Sequence, residues 1–320
     1  MKILFFSPYP REGPSNRFRV EQYLPYLKAE GIRYSFRPFF NSYSYKILYK
    51  KGFLLAKFFF FTIFSFRRMF DVFCSSGYDL VFIHREVFPL GSFMESLLKV
   101  FSRKIVYDFD DAIFLPNVSD SNRLVESLKD VTKTEKIIKI SNRIIAGNIF
   151  LRDYAIRFNN NVSILPTCID TDKYRPVEEK KPGDSVVVGW IGSVTTLRYL
   201  DILSDVFLKL LEKYSGLKIM IVGGKRNRIN SPRIVFKEWR LESEISDLQS
   251  FDIGIMPLDN DEWAKGKCAF KVIEYMAVGI PVVASAIGMN SEVIQDGING
   301  FLASTQDEWF KKISLLIDDA

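Results

Sequence analysis

The stretch that decides the fold is residues 263–286, WAKGKCAFKVIEYMAVGIPVVASA. It predicts a polar loop, a short helix that begins near Gly266, a Gly-Ile-Pro turn and a buried strand. Apolar residues spaced by three and four positions fall on one side of that helix: Phe270, Ile273 and Ala277. By the same spacing, Lys267, Lys271 and Glu274 fall on an adjoining stripe.

The charge of this stretch is unusual for the start of a helix. Lys265, Lys267 and Lys271 crowd an end that the helix dipole already makes positive, where Asp or Glu would be favoured by roughly 0.3–1 kcal/mol each. Two interpretations stay open: a solvated lead-in, or a site for an anionic partner. Phosphate is the natural candidate for such a partner, because backbone N–H groups and lysines would converge on it.

Composition indicates a globular chain with an acidic partner. The 320 residues suit two domains of about 160 residues, and 48% hydrophobic residues allow a sizeable core. A net charge of +6 favours nucleotide phosphates, anionic lipid or nucleic acid, without choosing among them. Cys74, Cys168 and Cys268 lie far apart, which argues against a zinc site and for a reducing compartment. Pro8 and Pro10 end the first apolar run too early for a signal peptide.

Strands alternate with helices along the first half of the chain, which predicts parallel βαβ units. The series opens with a strand at 2–6, a loop that contains Gly13, and a helix at 15–28. In that helix Ser15 is the expected N-cap and Pro25 is expected to produce a kink. Further strands are expected at 80–83, 104–107, 143–146 and 162–165, and further helices at 89–101, 124–140 and 149–157.

A second alternating series follows an interdomain linker, which is predicted at 166–185 from its prolines and charge run. The predicted domains are therefore 1–165 and 186–320. Strands of the second domain are expected at 186–191, 218–222, 234–236 and 253–256, and helices at 198–213 and 241–248. The chain stops within an expected helix, so we expect it to be truncated or unusually compact.

The most apolar stretch is residues 53–66, FLLAKFFFFTIFSF. Its length of about 14 residues is too short for a membrane-spanning helix, which needs roughly 20. Lys50, Lys51, Arg67 and Arg68 flank it. Two interpretations stay open: a buried core helix, which is favoured, or an interfacial helix that lies on an anionic membrane leaflet.

Polar residues follow two strands of the first series, where ligands of parallel sheets bind. His84, the single histidine, ends one strand, and Asp108, Asp110 and Asp111 end the next. The Asp-x-Asp spacing is typical of sugar-nucleotide enzymes that hold a divalent metal, but the same carboxylates can form turns and a helix cap. His84 is either a site residue or a structural imidazole. A Ser-His-Asp hydrolase is not indicated, because no GxSxG motif is present.

Glycines in the second half are turn residues by default. The loop at 192–196 matters most, because Ser193 and the residues after it precede a helix and could cradle a phosphate. Gly223 and Gly224 end the next strand.

These motifs resemble those of retaining glycosyltransferases with the GT-B fold, in the large family-4 (group 1) class. The second half carries the resemblance most specifically, through 189–193 with Arg198, Gly223-Gly224, FDIGIMPL at 251–258, KVIEYMAVGIPVVAS at 271–285 and DGINGFL at 296–302. The first half matches more loosely, through its strand-Gly13-helix opening, AGNIFLRDY and the segment 166–174.

The resemblance implies two Rossmann-like domains that face each other across a cleft, with a nucleotide-sugar of the UDP or GDP type held mainly by the second. Glu274 would match the glutamate that accepts hydrogen bonds from the donor's ribose hydroxyls, and Arg198 would replace a phosphate-binding lysine. Gly13 would match the loop glycine beside the diphosphate. The family often has another glutamate where this chain has Gly266.

The site residues that the resemblance implies fall into three groups. They are Gly13, Gly192, Ser193, Arg198, Gly223, Lys267, Lys271 and Glu274 for donor binding, Lys271, Glu274 and His84 for catalysis, and Asp110 and Arg85 for the acceptor side. Either His84 or Asp110 takes the place of the first-domain histidine that often touches the donor sugar. No metal or other cofactor is implied.

The expected function is transfer of a sugar, with retention, to a lipid-linked or polysaccharide acceptor in cell-surface polysaccharide biosynthesis. We expect a cytoplasmic protein, peripheral on the inner face of the cytoplasmic membrane if residues 50–68 bind anionic lipid, and no nucleic-acid partner. Two alternatives stay open. One is a metal-dependent transferase that uses Asp108, Asp110 and Asp111, and the other is a non-catalytic, membrane-associated scaffold with the same fold.

Overall fold

The structure is a computed structural model that describes residues 1–48, 50, 52–115, 130, 132–178, 185–225 and 229–319. The chain divides into two compact units, Met1–Cys168 and Ile169–Ala320. Each unit is built around a six-stranded sheet in which every strand pair is parallel. The prediction of an α/β fold with two Rossmann-like parallel sheets is confirmed. The division falls within the segment predicted as the linker, of which residues 179–184 lie outside the described part.

The sheet of the first unit has the strand order β2-β1-β3-β4-β5-β6. Its strands are β1 Lys2–Ser7, β2 Arg33–Pro38, β3 Leu80–His84, β4 Ile105–Phe109, β5 Arg143–Ala146 and β6 Val162–Ile164. Its helices are α1 Pro14–Arg19, α2 Leu24–Ala29, α3 Ser42–Leu48, α4 Leu54–Phe73, α5 Phe93–Phe101, α6 Lys133–Ile140 and α7 Ile149–Ala155. Strand β1 is a nearly continuous apolar run whose last five residues are buried, as expected when helices cover both faces of a parallel sheet.

The sheet of the second unit has the order β12-β11-β10-β7-β8-β9. Its strands are β7 Val186–Ile191, β8 Leu217–Val222, β9 Ile234–Lys237, β10 Ile253–Met256, β11 Val282–Ser285 and β12 Phe301–Ala303. Its helices are α8 Ser204–Lys213, α9 Glu244–Gln249, α10 Glu262–Lys265, α11 Phe270–Ala277, α12 Met289–Val293 and α13 Gln306–Asp318, and a 3-10 helix over Val194–Leu203 leads into α8. The core of this unit packs α8 and α13 against the sheet around Trp190 and Trp309.

The helix predicted at 15–28 is divided into α1 and α2, which a short 3-10 turn separates. Pro14 opens α1 and Pro25 lies in the first turn of α2, where the missing N–H of proline costs no helical hydrogen bond. The predicted kink at Pro25 is therefore wrong, because the chain divides before Pro25 and the proline lies at the start of the second helix. The predicted cap is wrong, because Gly13 is the N-cap and the hydroxyl of Ser15 bonds elsewhere.

The apolar stretch predicted at 53–66 forms the 20-residue helix α4. One side of α4 is buried, through Phe64, Arg68, Asp71 and Val72. The other side exposes large apolar side chains: Leu54, Leu55, Phe58, Phe59, Ile63, Phe66, Phe70 and Phe73. The prediction of a buried core helix is therefore wrong for this second face. No helix within the described ranges is both long and apolar enough to cross a membrane.

Several elements lacked a signal in the sequence. Strand β2 lies at a sheet edge and is only half-buried, so it has no continuous apolar run. Strand β12 has three residues and lies next to a turn-rich segment, so the sequence shows no strand pattern for it. The helix predicted at 124–140 begins in residues outside the described part, and its described portion is α6.

Candidate functional site

The strand order places a candidate ligand position in each unit. In the second sheet, β7 lies between β8 and β10, so the connections that leave β7 and β10 run in opposite directions across the sheet. In the first sheet the same reversal occurs between β1 and β3. Ligands of open parallel sheets bind beyond the carboxyl ends of the strands at such switch points. The loops that follow these four strands are therefore the places to examine.

In the second unit, the loops after β7 and β8 touch through two glycines. Gly223 has a φ of +112°, and a Cβ there would lie 1.7 Å from the carbonyl oxygen of Gly192. A Cβ on Gly192 would lie 2.5 Å from the Trp190 ring and 3.0 Å from Cε of Lys271. Only glycine allows this approach, and it brings three predicted donor-binding residues, Gly192, Gly223 and Lys271, to one place.

Tyr275 fixes α11 against the sheet. Its hydroxyl accepts a hydrogen bond from the Ile191 N–H and donates one to the Ile255 carbonyl, each at 3.3 Å. Gly254 leaves room for the ring, because a Cβ there would lie 2.5 Å from it. Burial raises the pKa of Tyr275, so its hydroxyl stays protonated and can keep both bonds. The sequence gives no signal for this positioning residue, since its partners Ile191 and Ile255 lie on two different strands.

The helix predicted to begin near Gly266 begins four residues later, at Phe270. Its N-cap is Ala269, which is buried and has a left-handed φ of +50°. A separate short helix, α10, ends at Lys265, before this N-cap residue. The apolar side formed by Phe270, Ile273 and Ala277 is only partly buried, whereas Val272 and Tyr275 are fully buried.

The predicted crowding of three lysines at one helix start is wrong. Lys265 lies in the last turn of α10, where the helix dipole favours a cation, and its ammonium lies 2.5 Å from the Glu262 carboxylate. Lys267 lies between the two helices, with its ammonium 5.9 Å from the centroid of the Trp263 ring. Of the three, Lys271 alone lies in the first turn of α11.

Lys271 and Glu274 lie three residues apart on α11 and hence on the same side of the helix. The Lys271 ammonium is 5.8 Å from the centroid of the Trp190 ring, and its side chain passes Gly192. Glu274 is buried. The switch-point edge of the second unit thus has a lysine beside a glycine loop and a buried carboxylate one turn further along the helix.

Arg198 links the loop after β7 to the segment after β10. Its guanidinium hydrogen-bonds the Tyr199 hydroxyl at 3.3 Å and lies 3.9 Å from the Asp261 carboxylate. Asp261 in turn caps α10. The neighbouring Ser193 hydroxyl hydrogen-bonds that of Thr195 at 2.8 Å. Arg198 lies on the 3-10 helix that follows Gly192, and it adds its positive charge to that of Lys271 in this unit.

In the first unit, His84 lies between Ser15 and Asp108. Its Nδ1 is 2.7 Å from Asp108 Oδ2, and its Nε2 is 2.7 Å from Ser15 Oγ. The Ser15 hydroxyl donates to Asp110 Oδ2 at 2.5 Å, so its proton is directed to this carboxylate. His84 and Asp108 are buried opposite each other on β3 and β4. Ser15 therefore connects the histidine to a second carboxylate and is not arranged as a nucleophile.

Two arginines neutralise the aspartates at the carboxyl end of β4 and directly after it. Arg19 donates to both oxygens of Asp108, and Arg85 donates to Asp110 at 2.8 Å and to Asp111 at 3.2 Å. Burial by itself would raise the pKa of Asp110, but the charges of Arg85 and Arg19 and the hydrogen bond from Ser15 lower it, and the net pKa lies below its ordinary value. At Asp108, burial likewise favours a higher pKa and the charge of Arg19 favours a lower one. The net pKa of Asp108 also lies below its ordinary value.

The geometry favours the pairing of these aspartates over metal binding. Asp108 is engaged by Arg19 and His84, and Asp110 by Arg85. Within the part of the chain that the structure describes, no group of three or more His, Cys, Asp or Glu side chains could hold a metal ion. The metal-dependent alternative therefore gains no support from this edge of the sheet.

Two other predicted residues of the first unit have definite positions. Gly13 is required for space, because a Cβ there would lie 2.7 Å from Cβ of Tyr9. Arg85 has a left-handed φ of +63° directly after β3. A non-glycine residue in this region is strained, and such residues cluster at functional sites.

Residues 185–319 match the family described as Glycosyl transferases group 1. Two curated relatives are named D-inositol 3-phosphate glycosyltransferase. The protein from Stackebrandtia nassauensis is 24% identical over 190 residues, which cover 50% of this chain and 42% of the relative. The protein from Mycobacterium bovis is 24% identical over 181 residues, which cover 49% of this chain and 36% of the relative. The matches thus span less than half of the length of these relatives.

Solved structures resemble the whole chain. Anabaena HepE, in complex with UDP and glucose, has a TM-score of 0.65 at 17% identity, with 100% of this chain and 90% of that chain covered. Sucrose-phosphate synthase from Thermosynechococcus elongatus has a TM-score of 0.66 at 14% identity, with the same coverage. These likenesses show the GT-B fold.

Proposed function

We propose that this chain is a glycosyltransferase that moves a sugar from a nucleotide-sugar to a lipid-linked or polysaccharide acceptor in cell-surface polysaccharide biosynthesis. One observation carries the proposal most directly. Gly192, Gly223 and Lys271 meet at the switch point of the second sheet, where the fold binds ligands. Glu274 lies on the same side of α11.

The donor would bind by its diphosphate beside the glycine loops. The absence of side chains at Gly192 and Gly223 lets a ligand approach the backbone of the two loops closely, although the N–H groups of these glycines already donate to the Val222 and Lys237 carbonyls. Lys271 and Arg198 supply positive charge. Glu274 would accept hydrogen bonds from the ribose hydroxyls. Ser193 would add a hydroxyl donor, and Lys267 a further cation near the sugar. A UDP or GDP sugar is the donor class that we propose.

The reaction breaks the bond between the anomeric carbon and the diphosphate oxygen, so negative charge grows on the departing nucleoside diphosphate. Lys271 is the group best placed to stabilise that charge, because it already lies at the glycine loop. Stabilisation of developing charge by a preorganised cation acts mainly on the rate of the chemical step. We propose that the sugar keeps its anomeric configuration.

The first unit would supply the acceptor side through Asp110 and Arg85. Asp110 is held as an anion by Arg85 and is connected through Ser15 to His84. A carboxylate fixed in this way can accept a hydrogen bond from a sugar hydroxyl with little reorganisation. Arg85 orients Asp110, and His84 is a positioning residue for the Ser15 hydroxyl.

We further propose that turnover requires no metal and that the enzyme works in the cytoplasm. The pairing of the aspartates with arginines supports the first point. The scattered cysteines of the sequence support the second, because a reducing compartment suits them. Activity that persists in excess chelator is the expected result, and loss of activity restored by a divalent cation would favour the metal-dependent alternative.

The direct test is a screen of UDP, GDP, ADP and TDP sugars for thermal stabilisation, followed by an assay for nucleoside diphosphate release with the donor that binds. Glu274→Gln removes the carboxylate and should abolish stabilisation by that donor. Lys209→Ala changes an exposed lysine on α8 and serves as the matched control, which should behave as the wild type. If no nucleotide-sugar stabilises the protein or is consumed, the proposal fails and the non-catalytic scaffold is favoured.

A further inference from the structure

Helix α4 carries a continuous apolar surface that none of the described elements of the first unit covers. We call it the aromatic face, defined by Phe53, Leu54, Leu55, Phe58, Phe59, Ile63, Phe66, Phe70 and Phe73. These side chains expose between 44% and 87% of their surface. Single exposed apolar residues are ordinary on protein surfaces, but a contiguous patch of this kind marks an interaction site.

The aromatic face runs along the whole helix because its members recur at spacings of three and four residues. The 20 residues of α4 give it a length of about 30 Å. Phe53, the residue that leads into α4, has a left-handed φ of +57° and is 59% exposed. A strained backbone that presents an aromatic ring to the surface is unfavourable in an isolated unit and calls for a partner.

The opposite face of α4 is fixed to the body of the first unit. Phe64 packs against Phe39 and Phe40, and the Arg68 guanidinium lies 4.4 Å from the centroid of the Phe6 ring and donates to the Arg37 carbonyl at 2.9 Å. Arg68 is fully buried. Helix α4 therefore cannot rotate its apolar side inward without exposing this packed face, and the aromatic face is a permanent feature of the surface.

The charge around α4 identifies the partner. Between Glu30 and Asp71 the sequence has no acidic residue, whereas it has eight lysines and arginines: Arg33, Arg37, Lys46, Lys50, Lys51, Lys57, Arg67 and Arg68. Lys46 and Lys50 are exposed next to the start of α4. An apolar helix face with basic residues at its borders is the pattern of interfacial helices on anionic membranes.

A second copy of this chain fits the same surface less well. Symmetric dimers place a patch against itself, so the basic border of one copy would lie against the basic border of the other. Like charges brought together in this way oppose association. A bilayer that contains acidic phospholipids satisfies both the apolar face and its cationic border.

We propose that α4 lies in the interface of an anionic lipid bilayer, with the aromatic face at the acyl boundary and the exposed lysines among the lipid phosphates. This inference deepens the proposed function, because a lipid-linked acceptor would be presented at that surface. It rests on the contacts of α4 and not on the donor site, so either proposal can fail without the other.

The test is flotation of the full chain with vesicles of phosphatidylcholine alone and of phosphatidylcholine with one quarter phosphatidylglycerol, at low and at 0.5 M salt. The wild type should bind the anionic vesicles and bind much more weakly in high salt. The double variant Phe58→Ser/Phe66→Ser should bind about a hundredfold more weakly, because it removes two large apolar side chains from the face. No flotation of the wild type with anionic vesicles overturns the proposal.

Two matched variants separate the contribution of the aromatic face to vesicle binding from that of the lysines. Leu208→Ser/Leu315→Ser removes two exposed leucines from helices α8 and α13 of the second unit and should leave flotation unchanged. Lys46→Glu/Lys50→Glu leaves the aromatic face intact and should weaken binding to anionic vesicles at least about 25-fold, at about fivefold per lysine. Unchanged binding of that variant to the anionic vesicles would overturn the electrostatic part of the proposal.

Circular dichroism melting curves of each variant show whether it is folded, and light scattering after gel filtration gives the mass of the wild type. Wild-type melting with lost flotation in the Phe58→Ser/Phe66→Ser protein supports the membrane assignment. A wild-type dimer that the same substitutions convert to a monomer, together with no vesicle binding, would assign the aromatic face to a second copy and overturn it. If the phenylalanine variant unfolds, the lysine variant decides the outcome.

Discussion

At the scale of single residues, Gly223 has the most direct geometric constraint. Its positive φ and the approach of the Gly192 carbonyl leave no space for a Cβ. We expect Gly223→Ala to lower the free energy of unfolding by at least about 2 kcal/mol and to abolish nucleotide binding, because the two loops must separate. Urea unfolding and thermal shift with the donor measure the two effects.

Gly297 provides the control for this substitution. It also has a positive φ, of +78°, but a Cβ there meets nothing within 4 Å. Gly297→Ala should therefore cost only the backbone strain of about 1 kcal/mol and should leave nucleotide binding intact. Equal effects of the two substitutions would contradict the contact between Gly192 and Gly223 as the cause.

Lys271 is the residue from which we expect the largest effect on rate. Lys271→Met keeps the length of the side chain and removes the charge beside the glycine loop, so kcat should fall about 100-fold with a smaller change in KM. Steady-state kinetics of nucleoside diphosphate release measure both constants. An unchanged kcat would show that Lys271 does not stabilise the leaving group.

Residues at the ends of neighbouring parallel strands could be predicted to meet, since such ends share one sheet edge, and Gly192 and Gly223 do so. Ser15 could not be predicted in this way. Its partners His84 and Asp110 lie 69 and 95 positions away in the sequence, and a serine two residues after a loop glycine has the local signature of a helix cap.

At the scale of elements, β3 and β4 are joined to α1 by buried charges. The pKa of Asp110 lies below its ordinary value of 3.8, so its pairing with Arg85 stabilises the fold fully above about pH 4 and is lost as the pH falls below that value. Asp110→Asn should cost about 3 kcal/mol at pH 7, and the difference from the wild type should shrink towards pH 2.

Urea unfolding across this pH range measures that difference. Asp153→Asn is the control, because Asp153 is exposed on α7 and pairs only with its neighbour Arg152 among the ion pairs of the described residues. It should change stability little at any pH. A constant difference between Asp110→Asn and the wild type from pH 7 to pH 2 would contradict the pairing as its source.

Periodicity predicted helices more reliably than their faces or starts. In α11 two alternative sets of apolar residues satisfy the spacing of three and four. The set that contains Tyr275 packs on the sheet, because Gly254 in the facing strand leaves room for the tyrosine ring. The predicted start of α11 lies too early in the sequence. Alanine favours helices, so nothing in the sequence indicated the left-handed conformation of Ala269. In α4 the apolar residues surround the helix, so the sequence did not distinguish a buried face from an exposed one.

At the scale of the whole molecule, the two alternating series of strands and helices were enough to predict two parallel sheets, because runs of buried strand residues separated by helices allow few other folds. The proposed functions divide between the two units. Donor binding uses the edge of the second sheet, and lipid binding uses α4 of the first.

This division predicts that the two binding activities are separable. Phe58→Ser/Phe66→Ser should keep the full thermal shift with the donor, and Lys271→Met should keep full flotation with anionic vesicles, since the phenylalanines belong to α4 of the first unit and Lys271 belongs to α11 of the second. Thermal shift and flotation on both variants check this. Loss of both activities in either variant would contradict the division.

The position of Trp190 under the Lys271 ammonium has a practical consequence. All four tryptophans of the chain, Trp190, Trp239, Trp263 and Trp309, belong to the second unit. An ammonium that moves from the indole towards a phosphate alters the electric field at the ring, so the chain contains its own optical reporter for occupancy by substrate. Emission should respond to nucleotide without any attached dye and should stay silent when vesicles alone are added.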